Sequence, residues 1–78
     1  MAKYQLDEKM VNRLDNDYTY HPPNGDDQVL RYKLIRDKAR ELAVLICVCS
    51  PASREQSVAL TELDHVVMMT NAAIARNE

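Results

Sequence analysis

The chain has 78 residues, a formal net charge of −2 and 46% hydrophobic residues, with neither Trp nor Phe. This length allows one domain, whose single small core is only marginally stabilising. The negative net charge argues against a duplex-binding protein, because non-specific nucleic-acid affinity comes mainly from clustered Lys and Arg. One Gly and three Pro are too few for the many tight turns of an all-β fold. We therefore expect an all-α fold and a partner chain.

Residues 4–15 predict a short first helix. Leu6, Met10, Val11 and Leu14 recur at helical spacing and form one apolar face. A helix of this length is marginal alone, so we expect it to dock on the other helices or on a neighbouring chain. No signal-peptide core precedes it, and no apolar run approaches the roughly 20 residues of a membrane span. The expectation is a cytoplasmic protein without a membrane partner.

A loop is predicted at residues 16–26, within which the chain reads YHPPNGDD from Tyr20 onward. The consecutive prolines favour extended backbone at this corner, and the Asn-Gly pair supplies a turn. Asp26 or Asp27 is then available to cap the next helix.

The second helix is predicted at about residues 27–49. Cys47 and Cys49 point about 200° apart on it, so they cannot chelate one metal ion together or form an unstrained disulfide. We expect both to be buried, reduced thiols. The expected core positions of this helix are Leu30, Leu34, Ile35, Leu42, Leu45, Ile46 and Val48.

The third helix is predicted at about residues 53–76, after Pro51 interrupts the second. Ser53 and Gln56 have the spacing of a capping box. The apolar positions of this helix cover more than one narrow stripe, which is too much for one partner helix and indicates a homo-oligomer. They are Val58, Leu60, Leu63, Val67, Met68, Ala72, Ile74 and Ala75. Residues 1–78 are thus expected to form one helical-hairpin domain.

No catalytic set emerges from the residue spacing. The two histidines are His21 on the proline corner and His65 inside the third helix, and neither has a nucleophile or base at a recognisable spacing. A chain with one Gly contains no Gly-rich phosphate loop. We expect no enzyme, no metal and no cofactor, and we place His65 at the helix surface or an interface.

The residues support a binding site better than a catalytic one. Lys33, Arg36 and Arg40 share one side of the second helix, where they can contact phosphates; the alternative is a solvated basic stripe. Tyr20 and His21 precede this helix and can stack on a flat ring, as aromatic side chains do on unpaired bases. Their alternative role is packing at the end of the hairpin.

The start of the third helix, SREQS, is a further candidate. Free backbone N–H groups there attract anions, and Arg54 can add a bidentate contact to a phosphate, unless it only pairs with nearby carboxylates. Arg76 lies in the last turn, where the helix dipole favours a cation in any case.

The segments YHPP, RYKLIRDKARELA, SPASREQSVALTEL and NAAIARNE together resemble the phage anti-CBASS and Thoeris anti-defence proteins that share a hairpin domain. The resemblance covers about residues 18–78. It implies a homohexamer of helical hairpins that binds cyclic oligonucleotides, either dinucleotides or trinucleotides, in pockets between protomers. It also implies that these second messengers are sequestered without cleavage in the cytoplasm of an infected bacterial cell, which blocks CBASS-type immunity.

By this resemblance the Tyr20-His21-Pro22 corner is the base-stacking element, and Arg36 with Lys33 contacts phosphates. The other polar positions expected to face a ligand or a neighbouring protomer are Arg54, Ser57, Thr61 and Arg76. Two alternatives remain open. One is a structural or protein-interaction hairpin without a nucleotide ligand, and the other is a nuclease or phosphodiesterase, which the missing metal-ligand and acid-base sets disfavour.

Overall fold

The computed structural model describes residues 4–78, and each regular element in that range is an α-helix. The helices are α1 (Glu8–Tyr18), α2 (Asp26–Cys49) and α3 (Arg54–Asn77). α2 and α3 have 24 residues each, about 36 Å of helix, and pack as a hairpin, so the all-α prediction is confirmed. The first three residues of the predicted 1–78 domain lie outside the described residues. Within residues 4–78 no helix is both long enough and apolar enough to span a membrane.

The first helix begins and ends later than predicted. Residues 4–7 were expected to be helical but precede α1, because Asp7 acts as the N-cap and its Oδ1 accepts a hydrogen bond from the Met10 N–H at 2.7 Å. Leu6 therefore lies outside the helix and does not join its apolar face. α1 also extends into the predicted 16–26 loop, which is shorter than expected.

The predicted aspartate cap of α2 is wrong. Gly25 occupies the N-cap with a φ of 89° and no side-chain cap, a backbone conformation that glycine adopts without steric cost. Asp26 and Asp27 instead lie in the first turn, where a carboxylate favours the positive end of the helix dipole.

The corner between α2 and α3 is held by two polar side chains. The Gln56 N–H donates to Ser53 Oγ at 3.1 Å, as the capping-box spacing predicted. The Gln56 side chain does not complete the box, because its Nε2 donates to the Ser50 carbonyl at 2.9 Å and to Ser50 Oγ at 3.1 Å. These bonds tie the first turn of α3 to Ser50, the C-cap residue of α2, and fix the point at which the chain reverses.

The hairpin seam is formed by half-buried apolar side chains that lie three, four or seven residues apart on each helix, a spacing typical of paired helices. No hydrophobic side chain among the described residues is buried. The molecule measures 49 × 38 × 14 Å, and 14 Å is little more than the diameter of one helix. The seam residues are Ile35, Ala39, Ala43 and Ile46 of α2, and Leu60, Leu63, Val67 and Ile74 of α3.

Much of the predicted core is exposed in the single chain, because the seam uses Ala39 and Ala43 and turns the larger side chains outward. Cys47 and Cys49 are exposed free thiols, so their expected burial is wrong for the protomer. The other predicted core residues found exposed are Leu30, Leu34, Leu42, Leu45, Val48, Val58 and Met68.

The open end of the hairpin is closed by a carboxylate clasp. Arg31 Nη1 donates to Glu78 Oε2 at 2.6 Å, and Gln28 Nε2 donates to Glu78 Oε1 at 3.0 Å. Gln28 is 5% exposed, and its Oε1 accepts from the Asn24 N–H at 2.8 Å. The hydrogen bonds from Arg31 and then from Gln28 lower the pKa of Glu78 to about 2.

This pKa predicts acid sensitivity at the clasp. A carboxyl whose folded pKa is about 2 and whose ordinary value is 4.5 stabilises the fold above its unfolded pKa and loses that contribution as the pH falls through this window. We expect the free energy of unfolding to fall less between about pH 5 and pH 2 in Glu78→Gln than in wild type. Chemical denaturation at one fixed protein concentration measures both slopes.

Glu41→Gln is the matched control, because it removes an exposed carboxylate that pairs only with Lys38 on its own helix, at 3.3 Å. If the free energy of unfolding changed with pH to the same extent in wild type and in Glu78→Gln, the clasp would not contribute to acid sensitivity.

Candidate ligand-binding face of the hairpin

The two sides of the hairpin differ in chemistry. Tyr32, Arg36 and Arg40 follow one another at four-residue intervals and therefore lie along one side of α2; we call this the basic face. The opposite side of the seam carries an apolar groove, which we call the leucine face. The leucine face is lined by Leu34, Ile35, Lys38, Ala39, Leu42, Leu63, Val66, Val67 and Thr70.

At the open end of the hairpin, the basic face leads into a cavity of about 370 Å³, the corner cavity, where the proline loop, α1, α2 and α3 meet. This volume is at the lower end of the roughly 300–1,000 Å³ of small-molecule sites. Its lining residues are Asp17, Thr19, Tyr20, His21, Pro23, Tyr32, Asn71, Ala72, Ala75 and Arg76.

Of the two aromatic side chains at the proline corner, Tyr20 is exposed to solvent and His21 is hydrogen-bonded within the protein. Tyr20 is 81% exposed, so its ring is open to stacking. His21 is half-buried, and its Nε2 lies 2.7 Å from the Asn16 carbonyl. Because a carbonyl only accepts, Nε2 carries the proton and His21 pins the loop to α1. Pro22 is exposed and does not line the cavity, whereas Pro23 does.

Arg76 joins the last turn of α3 to α1. Its Nη2 donates to the Asp17 carbonyl at 3.3 Å, and its Nη1 lies 3.6 Å from Asp17 Oδ1. Asn16 Nδ2 donates in turn to the Arg76 carbonyl at 3.1 Å. A guanidinium has five N–H donors, so Arg76 positions the corner and still has donors for a ligand.

A second cavity, the groove cavity, has a volume of about 410 Å³ and lies further along the basic face. Arg36 and Arg40 line it and form neither a hydrogen bond nor an ion pair within the part of the chain that the structure describes. The small side chains of Ala39 and Ala43 leave the groove open. These two guanidinium groups, one helical turn apart, outnumber the single carboxylate in the lining, that of Asp64, and so suit an anionic ligand.

Lys33 does not join this pair. Its Nζ lies 2.6 Å from Asp37 Oδ2, and this hydrogen bond, with the charges of Lys33 and Arg36, lowers the pKa of Asp37. By its spacing Lys33 shares the side of α2 that carries Arg36 and Arg40, but it lines neither cavity and its ammonium is engaged by Asp37.

Three predicted site residues lie at the far end of the hairpin. Arg54, Ser57 and Thr61 belong to the first turns of α3, and the rise from Arg54 to Arg76 is about 33 Å. Thr61 Oγ1 donates to the Ser57 carbonyl at 3.0 Å, whereas Arg54 has no side-chain partner among residues 4–78. Within one chain, these three residues and the corner cavity are therefore too far apart to contact the same ligand of nucleotide size.

Two residues of the corner cavity, Tyr32 and Asn71, were not singled out from the sequence. The signal for Tyr32 was its four-residue spacing from Arg36. Asn71 is a polar residue on a helix whose seam positions, such as Val67 and Ile74, are apolar, and that interruption was the available signal.

The fold is a helical hairpin in which two neighbouring cavities share one basic side. A sequence model of the Acb2/Tad1 hairpin domain matches residues 10–75. The chain therefore belongs to the Acb2/Tad1 hairpin-domain family, the anti-CBASS and Thoeris sponge family, and the resemblance noted in the sequence is confirmed. Members of this family are ligand-binding sponges rather than enzymes. No curated protein and no solved structure matches the chain significantly.

The contacts of Asn16 predict how α1 is held at the corner cavity. Asn16→Ala removes the side-chain bond to the Arg76 carbonyl, which at about 1 kcal/mol for a net hydrogen bond corresponds to a roughly fivefold effect. We expect amide hydrogen exchange in α1 to become about fivefold faster. Asn12→Ala is the control, because Asn12 is exposed on the same helix and the change in helix propensity is the same. Equal exchange rates in both variants would mean that Asn16 does not anchor α1.

Proposed function

We propose that the protein binds a cyclic oligonucleotide second messenger on its basic face and sequesters it without cleavage. The observation that carries the proposal is the continuous line from exposed Tyr20 through Tyr32 to the unpaired Arg36 and Arg40. A stacking surface in the corner cavity and two cations in the neighbouring groove cavity support the proposal. A cyclic dinucleotide needs both, since it presents bases and two phosphates, each of charge about −1.

The roles follow from the chemistry of each group. Tyr20 stacks on a base, a contact of about 1–3 kcal/mol on single-stranded ligands. Arg36 and Arg40 form charge-assisted, bidentate hydrogen bonds with the phosphates. His21 and Arg76 hold the loop and α1 in place around the base. Sequestration without cleavage agrees with the sponge class of the family.

The proposal includes assembly of several copies. Both cavities are open, and no hydrophobic residue within 4–78 is buried, so a second copy adds walls to the site and covers apolar surface. In a homohexamer, as the sequence resemblance implied, each ligand lies between protomers. Arg54, Ser57 and Thr61 at the far end of the hairpin then contact a neighbouring protomer or a ligand held by one, with Ser57 and Thr61 as neutral hydrogen-bonding groups.

In the infected bacterial cytoplasm, such a sponge lowers the free concentration of the messenger. Host effectors of CBASS-type immunity then remain unoccupied. By mass action the free concentration falls when the sponge is in excess over both the messenger and its own Kd for it, so affinity and abundance matter and chemical conversion is not needed.

Calorimetric titration with cyclic di- and trinucleotides, and with linear dinucleotides as controls, tests the proposal. We expect tight binding of at least one cyclic species, recovered intact after heat denaturation of the complex. Tyr20→Ala and Arg36→Ala should each weaken binding about tenfold or more, because each removes a stacking or phosphate contact. The oligomer, checked by size-exclusion chromatography, should be unchanged.

Lys38→Ala is the matched control for Arg36→Ala, because it removes one positive charge from the leucine face of the same helix. Unaltered binding in both site variants would show that the ligand lies elsewhere, and a linear product would support a nuclease. The absence of binding by any cyclic nucleotide would favour the second candidate, a protein-interaction hairpin that docks through its exposed leucine face.

A further inference from the structure

The corner cavity contains an amide whose hydrogen-bonding capacity is unused. Asn71 lines this cavity together with Tyr20, Tyr32 and Arg76. Its Oδ1 is buried and has no hydrogen-bond partner among the described residues. Most buried polar side-chain atoms are paired, so an unpaired one calls for an explanation.

Neighbouring polar residues of α3 are satisfied by their own helix. Thr70 Oγ1 donates to the Val66 carbonyl at 2.8 Å, and Asn77 Nδ2 donates to the Ala73 carbonyl at 2.9 Å. Asn71 forms no such bond. An apolar side chain at this position would avoid the cost of desolvating an unpaired oxygen, so the amide is of use only if it acquires a partner in another state of the protein.

We propose that Asn71 reads the Hoogsteen edge of an adenine base and so sets the base preference of the corner cavity. This inference rests on the proposed function. Asparagine pairs with adenine through two hydrogen bonds, in which Oδ1 accepts from N6–H and Nδ2 donates to N7. The terminal torsion of asparagine is broad, so the amide turns its oxygen toward the cavity without any change in α3.

The same geometry discriminates against bases with a carbonyl at position 6. Guanine and hypoxanthine present two acceptors, O6 and N7, on this edge. Asn71 can donate to one of them, but its oxygen stays unpaired, which a buried site penalises. An adenine stacked on Tyr20 gives both Oδ1 and Nδ2 of the amide a hydrogen-bond partner.

The test compares two cyclic dinucleotides, one with two adenines and the other with two hypoxanthines. We expect wild-type protein to bind the adenine form about tenfold or more tightly, as one bidentate base contact provides. In Asn71→Leu the affinities for the adenine and hypoxanthine forms should differ by no more than about twofold. The melting temperature of the ligand-free variant should be unchanged or higher, because the unpaired oxygen has been removed.

Asn71→Ala is a second variant with less steric risk, and Asn77→Ala is the control because its amide is already bonded within α3. The control should keep the wild-type preference. The inference is overturned if both Asn71 variants also keep it, or if wild type favours hypoxanthine. A lower melting temperature or a smaller oligomer in both Asn71 variants, with the adenine preference retained, assigns the amide to folding or assembly instead. If wild-type protein binds no cyclic nucleotide at all, the proposed function fails first and the inference falls with it.

Discussion

A single layer of helices can bury only the side chains that meet between its own members, and this constraint governs the molecule. The chain is 14 Å thick, so α2 and α3 share one seam while their two outer sides face solvent. Domains normally bury each apolar face against a second layer. Here the second layer is missing from the protomer, which explains why leucines such as Leu34 and Leu42 are exposed. The same thinness leaves the basic face open to a ligand.

The narrow seam and the binding face depend on each other. Ala39 and Ala43 let the helices approach closely and also form the floor of the groove cavity beside Arg36 and Arg40. At the open end, polar contacts tie α1 to the last turn of α3. Arg76 is central to this tie because it contacts both the backbone and the side chain of Asp17. The position of the corner cavity thus depends on a few hydrogen bonds.

Sequence reasoning predicted the features that depend on local chemistry and missed those that depend on register. The hairpin corner was placed within a residue because Pro51 and its capping neighbour stop and restart a helix wherever they occur. The burial of the leucines was wrong, since apolar spacing does not say which side of a helix meets its neighbour. Arg36 and Arg40 share a face by spacing alone, and the structure brings them together. Asn71 enters the site only through the alignment of α3 with α2, which no spacing within α3 reveals.

The central claim is that a cyclic oligonucleotide lies on the basic face and not on the leucine face. Nuclear magnetic resonance on one labelled sample tests it most directly, by following the Nε–H signals of Arg36 and Arg40 and the methyl signals of Leu34 and Leu42 as a cyclic dinucleotide is added. We expect large shifts for the two arginines and little change for the two leucines. Shifts confined to the leucine methyls, with both arginine signals unmoved, would contradict it.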